Sequence, residues 1–86
     1  MYFYEDILEE YNEMGLEMTW VMKDGNEIML KDMEDSHIKN CLNMLKRNEP
    51  NEIRRGWIDI FEDVQIKRRC EKIEKIANEI KNKGNL

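Results

Sequence analysis

The segment DSHIKNC, residues 35–41, holds the only histidine of the chain, His37, and one of its two cysteines, Cys41. On an α-helix, residues four positions apart lie one above the other on the same face. Zinc binds Cys sulfur and His nitrogen tetrahedrally, and a carboxylate can complete the coordination. The spacing therefore predicts a zinc site whose ligands are Asp32, His37, Cys41 and Cys70.

An alternative without metal stays open for the same residues. Cysteine is among the most buried residue types even where it binds nothing, so both cysteines can be small core residues. His37 is then a partly exposed residue at the start of a helix. Within the zinc hypothesis, Asp35 is the alternative to Asp32 as the carboxylate ligand. If zinc is bound, a set made only of protein ligands is typical of a structural site, which would stabilise a small core.

Patterns that support catalysis are missing from the sequence. The four glycines are scattered and form no phosphate-binding loop. One histidine and no nearby activated serine give no catalytic triad. The many carboxylates lie on predicted solvent faces, whereas paired acid and base groups need distinct environments. We therefore predict that the protein is not an enzyme.

The spacing of apolar residues predicts an α+β fold that is mostly helical, with one β-hairpin packed on three to four helices. The 86 residues suit a single compact domain spanning 1–86. The expected elements are an acidic helix at 1–15, a hairpin at 18–31, a helix at 35–47, and a long helix at 52–82 that is either continuous or broken near 63–65.

Local signals refine these elements. Asp24-Gly25 between two apolar runs predicts a type I′ turn, which needs positive φ at both central residues. Asp32 and Asp35 are expected N-caps of the helix at 35–47. The buried stripe of that helix is predicted to be Ile38, Cys41, Leu42 and Leu45.

The last helix carries an apolar seam that we expect to be buried along its length. Its residues are Ile58, Phe61, Val64, Ile66, Cys70, Ile73, Ala77 and Ile80. If this helix packs antiparallel to the helix at 35–47, the two stripes bring Cys41 and Cys70 together.

Charge is distributed unevenly along the chain, whose net charge is −5. Residues 1–35 carry eleven acidic and two basic side chains, whereas residues 36–86 carry eight acidic and twelve basic ones. The first helix bears five acids, whose like charges at four-residue spacing repel by roughly 0.2–0.5 kcal/mol per pair. This cost favours a partner-binding face made of Glu5, Asp6, Glu9, Glu10 and Glu13. The simpler alternative is two solvated surfaces of opposite sign.

Five basic residues could contact a phosphate backbone: Arg54, Arg55, Lys67, Arg68 and Arg69. The chain is acidic overall, and bases alternate with acids on the last helix, as on a salt-bridged exposed face. Direct nucleic-acid binding is therefore not expected. No apolar run is long enough to span a membrane and no secretory signal is evident, so we expect a cytoplasmic protein with free or metal-bound thiols.

The block WVMKDGNEIMLKDMEDSHIKNCLNMLKR, residues 20–47, resembles a segment of small proteins from phages and prophages. The matching letters are Trp20, Lys23-Asp24-Gly25, Asp32-Met33, His37-Ile38 and Asn40, and the block covers about a third of the chain. In size, charge and expected origin the chain is similar to type II anti-CRISPR proteins.

This resemblance implies a phage protein that acts in the host cytosol. Its expected partner is a host protein, a CRISPR effector nuclease, which the acidic face would inhibit by occupying a surface that binds phosphates. Two alternatives remain open. One is a small nucleic-acid-binding or regulatory phage factor, and the other is a phage structural or assembly protein that oligomerises through the last helix.

Overall fold

The computed structural model describes the backbone of residues 3–84 and the side chains of residues 3–79. Helix α1 spans Tyr4–Met14, strands β1 and β2 span Thr19–Val21 and Glu27–Met29, helix α2 spans Asp35–Arg47, and helix α3 spans Glu52–Gly84. Short 3₁₀ turns at Gly15–Glu17 and Leu30–Asp32 flank the hairpin. Three helices with one antiparallel hairpin confirm the predicted, mostly helical α+β fold.

Helices α1 and α2 both pack against α3, which is the central element of the fold. Ion pairs mark the two ends of the α2–α3 contact. Lys46 lies 3.0 Å from Glu62, and Arg68 lies 2.6 Å from Asp35. Because the residue numbers run in opposite directions, α2 and α3 are antiparallel, as expected from the sequence.

The core lies where the three helices and the hairpin meet. It contains Ile7, Tyr11, Met18, Leu30, Met33, Ile38, Cys41, Leu42, Leu45, Ile60, Phe61 and Val64. The ring centre of Trp20 lies 4.9 Å from that of Trp57 and 5.1 Å from that of Phe61. A two-stranded hairpin is marginal alone, so these edge-to-face contacts hold β1 on α3.

Gly56 permits the close approach of α1 to α3. A Cβ atom at this buried position would lie 3.0 Å from Cγ2 and 3.1 Å from Cβ of Ile7. Glycine weakens a helix, but here it removes a steric clash with a core residue of α1.

The buried stripe of α3 ends at Val64, although the helix continues without a break to Gly84. Beyond it, Ile66, Ile73 and Ile76 are 56%, 64% and 56% exposed. The expectation of a fully buried seam is therefore wrong beyond Val64, and the side chain of Ile80 lies outside the described residues. Helices of 11 and 13 residues are about 17–20 Å long, whereas the 33-residue α3 is about 50 Å long, so its C-terminal part extends beyond both.

The hairpin turn differs from the predicted type I′ turn. Within the described residues, no residue other than glycine has positive φ, and in this turn only Gly25 does, at +86°. The Gly25 N–H donates to the carbonyl of Met22 at 2.9 Å, and the Met22 N–H donates to that of Asn26 at 2.8 Å. The loop thus has three residues and places its one positive φ at the glycine.

The expected N-caps of α2 are also wrong. Its N-cap residue is Glu34, whose side chain makes no capping bond, and Asp35 is the first helical residue. Asp32 lies in the preceding 3₁₀ turn. The carboxylate of Asp35 bonds to α3 instead, because basic side chains of that helix lie beside it.

Candidate functional site

The outer face of α1 carries an acidic stripe, defined here as Glu5, Glu9 and Glu13. All three side chains are exposed, and they follow one another at four-residue spacing along the helix. Within residues 3–79, no hydrogen bond or ion pair engages any of them. The stripe therefore presents three carboxylates to solvent on one side of the fold.

The two other acids predicted for this face have different surroundings. The Asp6 carboxylate accepts a hydrogen bond from the Phe3 N–H at 2.8 Å and so satisfies a free donor at the start of α1. Glu10 is half-buried and has a partner of its own. Both lie beside the stripe on the helix, but their carboxylates are less available to another molecule.

The opposite face of α1 is fixed to α3 by two tyrosines. The Tyr4 hydroxyl donates to Asp59, and the Tyr11 hydroxyl donates to Asp63 at 2.8 Å. Lys67 Nζ donates to the Tyr11 hydroxyl at 3.1 Å and lies 3.0 Å from the Asp63 carboxylate. Burial and the bond to Asp63 raise the pKa of Tyr11, and the same bond lowers the pKa of Asp63. These contacts give the acidic stripe a fixed orientation.

Arg68 joins α3 to the start of α2. Its guanidinium donates to the carbonyls of Leu30 and Met33 at 3.1 and 2.7 Å and to the Asp35 carboxylate at 2.6 Å. Lys72 lies 3.4 Å from the same carboxylate. The bond from Arg68 is the main cause that lowers the pKa of Asp35. The planar guanidinium thus donates to three acceptors at once and holds the start of α2 on α3; we call this arrangement the Arg68 clamp.

Most of the basic residues considered for phosphate binding hold contacts within the fold. Arg54 donates to a backbone carbonyl of the preceding loop at 2.6 Å, and the Arg55 guanidinium lies 5.6 Å from the centre of an α1 aromatic ring. Lys67 and Arg68 hold the contacts described above. Of the five, Arg69 alone is exposed and without a partner among residues 3–79.

The structure brings together only part of the predicted zinc set. His37 is half-buried and Cys41 buried, and both line a cavity between β1 and α2. Cys70 is exposed and lines a different cavity, beside Leu16, while Asp32 is exposed in its 3₁₀ turn. The expectation that Cys70 lies in a buried seam is wrong. Asp35 of α2 contacts Arg68 and Lys72, whereas Cys70 lies on a face of α3 that α2 does not cover.

Across residues 3–79, no group of three or more His, Cys, Asp or Glu side chains is placed to hold a metal ion. Burial raises the pKa of the Cys41 thiol, which disfavours the thiolate that zinc binds. The four-ligand zinc site stays a prediction.

The cavity between β1 and α2 was not predicted from the sequence. It has a volume of about 440 Å³ and is lined by Trp20, Val21, Met22, Lys23, His37, Asn40, Cys41, Met44 and Arg47. The α2 residues recur at helical spacing, but they join residues 20–23 only in the folded chain. The sequence offered only a weak indication of this cavity: both segments contain apolar residues and one basic residue each, Lys23 and Arg47, that line it.

Comparison with known proteins gives no further assignment. The sequence matches no protein-family model, and no curated protein and no solved structure is similar to it at a significant level. Among the described residues, no helix is both long enough and apolar enough to cross a membrane. Function is therefore inferred from the surfaces described above.

Proposed function

We propose that the protein is a small acidic binding protein that inhibits a host defence nuclease. The first candidate target is a type II CRISPR effector in the host cytosol. The observation that carries the proposal is the acidic stripe, with three exposed carboxylates that have no partner in the described chain. Carboxylates form charge-assisted hydrogen bonds with Lys and Arg, so such a stripe suits a surface that normally binds phosphates.

The placement of two of these charges, Glu9 and Glu13, is unfavourable for α1 itself. The last turn of α1 contains no basic residue, although cations stabilise helix C-termini, and Glu13 lies there instead. Glu9 and Glu13 repel each other at four-residue spacing. A binding role accounts for this arrangement. The eleven acidic residues of residues 1–35 would also increase the rate of association with a basic partner.

The test is a DNA-cleavage assay with a purified type II effector, its guide RNA and increasing amounts of this protein. The test variant replaces Glu5, Glu9 and Glu13 by Gln. We expect the wild type to inhibit and the variant to need at least about tenfold more protein, as a loss of interfacial charge contacts predicts. Binding is measured in parallel by surface plasmon resonance.

The matched control replaces Glu71, Glu74 and Glu79 of α3 by Gln, which removes the same charge from exposed positions elsewhere. This control should inhibit as the wild type does. Equal losses in both triple variants would assign the effect to net charge and contradict a role for the stripe. Absence of wild-type binding and inhibition would reject this target.

A second candidate function is assembly through α3. It is favoured by the exposed isoleucines Ile66, Ile73 and Ile76, because apolar helix residues left in solvent commonly mark contacts between chains. The measurement is light scattering over a concentration series. Association abolished by Ile73→Glu would support this alternative, and a monomer at all concentrations would reject it.

The zinc site is proposed separately, as a structural site of Asp32, His37, Cys41 and Cys70. Mass spectrometry of the untagged protein should then find about one zinc per chain, a stoichiometry that four protein ligands imply. Both Cys41→Ser and Cys70→Ser should lose the metal and melt at lower temperature. If only Cys41→Ser changes melting and no zinc is found, Cys41 is a core residue.

A further inference from the structure

The cavity between β1 and α2 is a groove bordered by the edge of a strand. Trp20, Val21, Met22 and Lys23 all line it. Successive residues of a strand point to opposite faces of a sheet, so four consecutive lining residues mean that the edge of β1 and its continuation face the groove. The opposite wall is one face of α2, which includes Met44.

The backbone of β1 has hydrogen-bonding groups free on this edge. Trp20 is paired directly with β2, and the Met22 N–H donates to the carbonyl of Asn26 at 2.8 Å. In an antiparallel ladder, alternate residues exchange hydrogen bonds with the neighbouring strand, and those between them point outward. The N–H and C=O groups of Thr19 and Val21 therefore point away from β2. No third strand pairs with them in the described chain.

The side chains of the groove indicate what could fill it. Val21 is 57% exposed and Met44 is half-buried, which leaves apolar surface open. Lys23 and Arg47 also line the groove and form no ion pair within residues 3–79, and no acidic residue lines it. An extended segment with alternating apolar and acidic side chains matches both the apolar surface and the two cations.

We propose that this groove binds an extended acidic and apolar segment of a partner protein, which adds to β1 as a third strand. The main-chain groups of Thr19 and Val21 would supply the hydrogen bonds, and the contacts with α2 and the two cations would select the sequence. A free strand edge is a template for pairing unless it is covered. No residue of α1 lines the groove, so this proposal is independent of the acidic stripe.

The probe is a fluorescein-labelled octapeptide of alternating glutamate and valine, and the control peptide has lysine in place of glutamate. Fluorescence polarisation should show saturable binding of the acidic peptide and at least about tenfold weaker binding of the basic one. In the ¹⁵N-labelled protein, the largest amide shifts should fall on Thr19, Val21 and the facing side of α2.

Two variants test the strand edge and the charges separately. Val21→Pro removes an N–H that the hairpin does not use, and proline is tolerated at an edge strand in that position. Lys23→Glu with Arg47→Glu reverses the charge of the groove. Each should weaken binding of the acidic peptide by about tenfold or more, while circular dichroism of the double variant matches the wild type.

A matched control tests whether the groove and the acidic stripe bind independently of each other. Replacing the acidic stripe by Gln should leave peptide binding unchanged. Failure of the acidic peptide to bind at millimolar concentration would overturn the proposal. Equal binding of the acidic peptide by the wild type and the charge-reversed variant would also overturn it. So would amide shifts confined to α1 and to residues 69–84 of α3.

Discussion

The two halves of α3 carry similar apolar residues and meet different surroundings. In the proximal half, residues 52–68, the side chains of Ile60, Phe61 and Val64 are fully buried. In the distal half, residues 69–84, every side chain described, from 69 to 79, is exposed. Ile60 and Ile73 are chemically identical, yet only the first contacts the core. Burial therefore depends on whether the side chain contacts the other elements of the fold, and not on the residue type.

The difference also concerns what keeps each half helical. The proximal half is stabilised by packing, whereas the distal half, apart from the contact of Lys72 with Asp35, depends on its own sequence. Pairs such as Glu71 with Lys75 and Lys75 with Glu79 stand at four-residue spacing, where opposite charges add about 0.2–0.5 kcal/mol each. Isolated helices of this length are marginal in water, so the distal half should open more readily than the proximal half.

The largest expected effect comes from truncating a core residue of the proximal half. Phe61→Ala should lower the free energy of unfolding by about 3–5 kcal/mol, because it leaves a cavity among buried side chains. Ile73→Ala, in the distal half, should change it by less than about 0.5 kcal/mol. Urea unfolding followed by circular dichroism measures both. If Phe61→Ala does not fold, Phe61→Leu takes its place. Equal effects at the two positions would contradict the difference in packing.

The next effect tests the boundary between the halves. Arg68→Ala should lower the free energy of unfolding by about 1.5–3 kcal/mol, since three acceptors lose a charged donor. The side chain of Arg68 is 25% exposed, so solvent screens its two carbonyl contacts weakly. The Asp35 side chain is 63% exposed, so solvent screens that ion pair more strongly. Arg69→Ala is the matched control and should stay within about 0.5 kcal/mol. Arg68→Lys should restore little, because an ammonium group lacks the planar fork.

A smaller effect concerns pH. The pKa of Asp63 is held below its ordinary value of 3.8, chiefly by the Tyr11 hydroxyl, so the ionised carboxylate stabilises the fold. This contribution is present above pH 3.8 and is lost as pH falls through the lowered value. Asp63→Asn should therefore flatten the acid side of the melting-temperature profile. At pH 7 it should cost about 0.5–1 kcal/mol, a modest figure because the Asp63 side chain is 43% exposed.

The alkaline side of the same profile has the opposite sign. The pKa of Tyr11 is raised above its ordinary value of 10.0, chiefly by burial, so the neutral phenol stabilises the fold. That contribution is present below pH 10.0 and is lost as pH rises through the raised value. Tyr11→Phe should make the protein less sensitive to pH above that point. Glu71→Gln is the control and should leave both the acid and the alkaline side of the melting-temperature profile unchanged.

The smallest effect separates stability from binding on α1. Glu13→Lys should raise the free energy of unfolding by about 0.3–0.8 kcal/mol, because a cation at the helix C-terminus is favourable and the repulsion with Glu9 is removed. Glu5→Lys, at the N-terminal end, should lower it by a similar amount. Thermal melts measure both, and a stabilising effect of Glu5→Lys would contradict the argument. Both variants should weaken binding of the proposed target.

The sequence predicted features that depend on one element better than features that depend on several. The α2 stripe of Ile38, Cys41, Leu42 and Leu45 was predicted correctly, because helical spacing alone determines a shared face. The exposure of Cys70 was not, since it depends on which face of α3 the neighbouring elements cover. The hairpin was expected between the right residues, but the φ angle at Asp24 cannot be read from its side chain.

The candidate sites follow the same division. The exposure of Glu5, Glu9 and Glu13 was predicted from the helix pattern, whereas the cap made by Asp6 depends on local backbone geometry. The groove beside β1 joins residues about twenty positions apart, and no local pattern specifies that pairing. The clamp of Arg68 on two carbonyls likewise exists only after the chain has folded.

The exposed distal half of α3 has a consequence for how the molecule moves in solution. The described chain measures 58 × 24 × 22 Å, and its radius of gyration of 16.0 Å exceeds the value of about 12 Å for a compact domain of this length. Rotational diffusion should therefore be anisotropic. Amide vectors along α3 lie close to the long axis and should show larger ratios of longitudinal to transverse relaxation time than those of the hairpin, at the same temperature and concentration.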